Sequence, residues 1–178
     1  KDLSFTGKGN ISLNKFTINP YTHTLSLQGN GISFTWTDGD GGWLMLSLSG
    51  TINVKDGATF TMSFDSNNGS KCAIYPSSSA AITVDNGSTF QILGHNTKGI
   101  EGQAIQLDPS AIGMPITITN NSTFLIDGTN RGYTGSPTIL VENSTFTIKN
   151  CTNNASNGGD FTAINSTITY QDNAGHGL

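Results

Sequence analysis

Charge is what this sequence has least of. Asp, Glu, Lys and Arg make up 11% of its 178 residues, less than half the roughly 25% usual for soluble domains. Hydroxyl, amide and backbone groups must therefore cover the surface. The basic residues, Lys1, Lys8, Lys15, Lys55, Lys71, Lys98, Lys149 and Arg131, are scattered, and the net charge is −4. That distribution gives no electrostatic footprint for nucleic acid or an anionic membrane. No apolar run reaches the length of about 18 residues that a transmembrane helix needs, and no basic stretch leads into an apolar core as in a signal peptide. No membrane insertion by this segment is expected. Two cysteines, Cys72 and Cys151, are too few for a disulfide scaffold.

What is present is a repeat. Asp56-Gly-Ala-Thr-Phe60 returns as Asn86-Gly-Ser-Thr-Phe90, Asn120-Asn-Ser-Thr-Phe124, Glu142-Asn-Ser-Thr-Phe146 and Ile164-Asn-Ser-Thr-Ile168. The last residues of successive copies are 30, 34, 22 and 22 positions apart, a base period of 22 with insertions of 8 and 12. Before each copy stands a short alternating strand: Ile52/Val54, Ile82/Val84, Ile116/Ile118, Ile139/Val141 and Phe161/Ala163. After it comes another, with Phe60/Met62/Phe64, Phe90/Ile92, Phe124/Ile126, Phe146/Ile148 and Ile168/Tyr170 on one side. Period-two alternation places one apolar row inward and one polar row outward.

Three residues before each final apolar residue stands Gly57, Gly87, Asn121, Asn143 or Asn165. Gly and Asn are the residues that tolerate positive φ, so a left-handed corner is predicted in every copy. A strand, a corner and a strand cannot bury an apolar row alone, whereas stacked copies bury a continuous one. No window carries a helical apolar period, and β-branched and aromatic residues fill the strands. An antiparallel sandwich would leave the fixed offset between corner and Phe unexplained.

The fold expected is all-β, a right-handed single-stranded parallel β-helix with coils of about 22 residues. Phe60, Phe90, Phe124 and Phe146 should form an inner stack, and Thr59, Thr89, Thr123, Thr145 and Thr167 an outer ladder. Corner asparagines are placed to hydrogen-bond along their column. Insertions at 65–72, 93–103 and 127–137 read as loops on one side, where binding often resides. Residues 1–178 form one domain: 1–50 are opening coils or a cap, and 51–178 are regular coils. Because Asn173-Ala-Gly-His-Gly-Leu178 stops within a coil, the segment is expected to belong to a larger surface polypeptide.

The 22-residue coil, the Asn/Gly corner and the phrase Val84-Asp-Asn-Gly-Ser-Thr-Phe-Gln-Ile92 resemble the pectate-lyase-like β-helix superfamily over about residues 50–170. Within it, the likeness is to the non-catalytic adhesive domains of bacterial surface proteins, and Phe146–Asp160 is similar to autotransporter-type passenger repeats. The resemblance implies an extracellular adhesion module at the bacterial cell surface, recognising a glycan or a host surface protein. It also implies an alternative, a polysaccharide lyase or glycoside hydrolase of the same fold. A structural stalk is a further one.

Catalytic constellations are not visible. A lyase of this fold would use a basic residue with Ca²⁺ held by several acids, and Arg131 has no acid cluster nearby in sequence. A hydrolase needs carboxylates held together, whereas Asp108, Asp127, Glu142, Asp160 and Asp172 are singletons. Asp38 and Asp40 in Thr37-Asp-Gly-Asp-Gly-Gly42 are a weak Ca²⁺ candidate, lacking the downstream Glu of a full site. His23, His95 and His176 have no partners at zinc spacing. Tyr133, beside Arg131 in the longest insertion, and Trp43 are the candidate ligand-binding residues; Trp36 shares parity with Phe34 and belongs inside. Cys72 and Cys151 fall three coils apart, about 14 Å along the axis at roughly 4.8 Å per coil, beyond disulfide reach. Two free, buried thiols are expected. Asn-x-Ser/Thr sites such as Asn86, Asn121 and Asn143 coincide with the corner, so geometry accounts for them.

Overall fold

The computed structural model describes residues 1–14, 22–37, 44–65, 72–95, 102–107, 109 and 111–175. Alternating Thr, Ile, Val and Phe build nineteen short strands and, among the described residues, no helix. β1 (Leu3–Thr6) and β2 (Gly9–Asn14) come first. Five three-stranded turns follow. The first is β3 (Thr24–Gln28), β4 (Ile32–Thr37) and β5 (Leu44–Leu48), and the second β6 (Thr51–Lys55), β7 (Thr59–Asp65) and β8 (Cys72–Pro76). The third holds β9 (Ala81–Asp85), β10 (Thr89–His95) and β11 (Gln103–Gln106), and the fourth β12 (Pro115–Thr119), β13 (Thr123–Asp127) and β14 (Arg131–Thr134). β15 (Thr138–Glu142), β16 (Thr145–Lys149) and β17 (Ser156–Asn157) make the fifth, with β18 (Asp160–Ile164) and β19 (Thr167–Gln171) after it.

Each coil adds one strand to each of three sheets. Sheet A runs β1-β3-β6-β9-β12-β15-β18, sheet B runs β2-β4-β7-β10-β13-β16-β19, and sheet C runs β5-β8-β11-β14-β17. Every pairing is parallel. The chain is a parallel β-solenoid of about 5 turns with coils of roughly 26 residues.

Sheet C corrects the two-strand coil. The segments 127–137 and the ends of 65–72 and 93–103, expected to be loops, carry β14 and the starts of β8 and β11. Arg131-Gly-Tyr-Thr134 has neither β-branched alternation nor a continuous apolar row. Its strand comes from pairing with β11, Gln103 against Arg131 and Ile105 against Tyr133, which is tertiary context overriding local preference.

The registers carry the core. Phe34, Phe60, Phe90, Phe124 and Phe146 occupy one column of sheet B. Their ring centroids are 5.1, 5.0, 5.0 and 5.5 Å apart, with planes within 16° of parallel. Each such contact contributes about 0.5–1.5 kcal/mol beyond the area it buries. Trp36 lies beside Met62 in the next inward column and is buried. Phe5 and Ile11 at one end, and Phe161, Ile168 and Tyr170 at the other, pack against the core while half-buried. The outer Thr59–Thr89–Thr123–Thr145–Thr167 ladder is present in register. In the adjacent outer column Gln91 Nε2 donates to Thr61 Oγ1 at 2.8 Å.

Candidate functional site

Sheets A and B meet at a tight corner in every coil, and the corner is left-handed as its sequence predicts. Gly57 and Gly87 have φ of 77° and 72°, and Asn121, Asn143 and Asn165 have φ of 62°, 49° and 49°. Asp56, Asn86 and Asn120 precede the first three of these and also have positive φ. In the two later coils Glu142 and Ile164 are the last residues of their strands, so those corners need a single left-handed residue.

The column is held from inside by serine. Gly57 N–H donates to Ser88 Oγ at 3.1 Å, Ser88 N–H to Ser122 Oγ at 3.2 Å, Ser122 N–H to Ser144 Oγ at 3.1 Å, and Ser144 N–H to Ser166 Oγ at 3.2 Å. Ser88, Ser122 and Ser144 are buried. Backbone bonds run alongside: Gly87 N–H to the Asn120 carbonyl and Asn121 N–H to the Asn143 carbonyl, both at 2.8 Å. The Ser of the repeated Ser-Thr-Phe phrase is thus the ladder residue. Its even recurrence one residue before the Thr-Phe pair is the signal of that role in the sequence.

The outer side of the corner changes character along the axis. In the earlier coils carboxylates engage its amides. Gln28 Nε2 and Asn86 Nδ2 donate to Asp56 at 2.6 and 2.7 Å, while Thr119 Oγ1 and Asn120 Nδ2 donate to Asp85 Oδ1 at 2.7 and 2.8 Å. The Thr119 bond foremost, with Asn120, the Asn86 backbone and the Lys55 charge, holds the Asp85 carboxyl below its ordinary range against a smaller cost of burial. In the next coil Glu142 follows Thr119 in this column. The side chains of Asn121, Asn143 and Asn165 are exposed and make no hydrogen bond among the described residues. With Ser144, Thr145 and Thr167 they line an uncharged groove of about 310 Å³, at the small end of the roughly 300–1,000 Å³ typical of ligand pockets.

Tyr133 and Arg131, expected to contact ligand, lie outside this groove. Tyr133 is in β14, not in a loop, and at 2% exposure it continues the buried column of Leu46, Ile74 and Ile105. So placed, the ring is a core element. Arg131 follows Cys72 and Gln103 in the column at the margin of the core; it is half-buried, and its Nε is buried without a hydrogen-bond partner. Trp43, Asp38 and Asp40 fall outside the described residues, as do 66–71 and 96–101 of the expected loops. Among the described residues no three His, Cys, Asp or Glu side chains gather as a metal site would require. Asp127 is paired with Lys149 at 3.3 Å and accepts from Asn150 Nδ2 at 2.7 Å.

Both cysteines are free and buried. Burial alone pushes the Cys72 thiol up to about 12. Burial also raises Cys151, opposed by its hydrogen bond with Thr129. The Tyr170 phenol is likewise raised by burial, with Tyr133 beside it adding to the effect.

No protein-family model, curated protein or solved structure matches this chain.

Proposed function

We propose that this solenoid is a cell-surface adhesion module of the pectate-lyase-like β-helix kind, which binds a glycan or a host surface protein. The observation that supports the reading is the free row of amides and hydroxyls at the A–B corner. Hydrogen-bonding groups that the fold does not use are repeated there at one-coil spacing on a rigid support. Rigid presentation keeps the ordering cost of binding low, and uncharged amides and hydroxyls suit ligands that are themselves polar and neutral. The two thiols and Tyr170, raised by burial, serve the core and offer no activated nucleophile.

The test is binding of the purified chain to a broad glycan array and to a panel of extracellular host proteins. Saturable retention on either supports the module. Silence on both moves the reading to a structural stalk, for which the serine ladder and the phenylalanine stack would be sufficient.

A further inference from the structure

Within that reading, on which this step rests, we infer that the corner groove of Asn121, Asn143, Ser144, Thr145, Asn165 and Thr167 binds a linear neutral polysaccharide lying along the solenoid axis.

The corner's backbone does not demand asparagine. Gly57 and Gly87 make the same left-handed corner two and one coils before Asn121, so a residue without a side chain satisfies the geometry. An amide here contributes something beyond shape, and in this stretch it is not spent internally: the side chains of Asn86 and Asn120 donate to Asp56 and Asp85, whereas the side-chain amides of Asn121, Asn143 and Asn165 have no partner among the described residues. Each free amide supplies two donors and an acceptor, and each threonine hydroxyl a donor and an acceptor. That set matches sugar hydroxyls, which also both donate and accept.

Three features narrow the ligand. The groove is lined by no charged residue, so it does not compensate a uronate or phosphate. Its groups recur once per coil, Asn121 above Asn143 and Thr145 beside Thr167, at roughly 4.8 Å along the axis, a spacing that meets a repeating polymer better than a compact molecule. Its length is continuous across three coils, so a longer ligand gains contacts until it spans them.

The experiment is calorimetric titration of the purified chain with neutral xylo- and cello-oligosaccharides from disaccharide to hexasaccharide, with oligogalacturonates as the charged comparison. Affinity should rise with length and then level, with the uronates weaker. Asn143→Gly keeps the corner conformation and removes one amide; Thr145→Val keeps shape and removes one hydroxyl. Together they should weaken binding on the order of tenfold, with thermal unfolding of Asn143→Gly close to the parent's. Length-independent binding, a preference for uronates, or unchanged affinity in both variants would overturn the assignment. If no neutral oligosaccharide binds while a host protein does, the corner inference fails and the adhesion module stands; if neither binds, both fail.

Discussion

Phe90 and Phe124 lie face to face, 5.0 Å between ring centroids and 8° between planes, although 34 positions separate them in the chain. The contact exists because Thr89-Phe90 and Thr123-Phe124 are register partners in neighbouring parallel strands. Phe124 touches rings on both sides, Phe90 and Phe146. Phe124→Ala should therefore leave a cavity in the middle of the stack and cost about 3–5 kcal/mol, read from the shift in a urea unfolding midpoint. A loss below about 1 kcal/mol would mean the stack is not packed as described.

The serine ladder makes a second expectation. Ser122→Ala deletes the acceptor of the buried Ser88 N–H, and an unsatisfied buried donor costs about 1–3 kcal/mol. Ala58 holds the matching position one coil before Ser88 without a hydroxyl, so Ala itself fits the corner sterically. Comparing Ser122→Ala with Ser122→Thr by thermal unfolding separates the lost acceptor from any change of shape.

At Asn143, φ is 49°, which sorts substitutions by backbone rather than by polarity. Asn143→Gly should be nearly neutral for stability, while Asn143→Ala should cost about 1–2 kcal/mol, the left-handed penalty of an ordinary residue. Equal stability of the two variants would contradict a strained corner.

The thiols set an alkaline limit. Cys72 is held up to about 12 in the fold, against about 8.5 in an unfolded chain. Between those values the unfolded chain loses the proton while the folded chain keeps it, so stability is full below about pH 8.5 and falls as pH rises through this window. Cys151 and Tyr170 are shifted in the same direction and add to the slope. Cys72→Ala should flatten the decline measured by urea unfolding at successive alkaline pH values. In the native protein neither thiol should react with a disulfide reagent, and both should react in denaturant.

Much of this architecture was legible because the chain repeats a backbone requirement together with an apolar row. The Gly/Asn corner at fixed offset from Phe located the A and B strands and predicted the Phe60–Phe146 stack, the Thr ladder and the separation of Cys72 from Cys151. Sheet C was not legible. β8, β11 and β14 are short and start with residues such as Cys72, Gln103 and Arg131, and their pairing is decided by the neighbouring coil. Tyr133 reads as a loop residue from sequence for that reason, and its burial follows from its partner Ile105. The candidate groove was half visible: Asn121, Asn143 and Asn165 stood out as turn residues. That their amides are left over is a three-dimensional fact: Asp56 and Asp85 engage the amides of Asn86 and Asn120, which sit one place earlier in the corner.

The most direct test of the account as a whole is a single incubation of the purified chain with neutral polysaccharides and uronate polymers, following retention alongside new reducing ends and the ultraviolet absorbance of unsaturated products. Saturable retention without either product is the predicted result. Accumulation of reducing ends or unsaturated product would contradict a binding module and make the chain a hydrolase or a lyase.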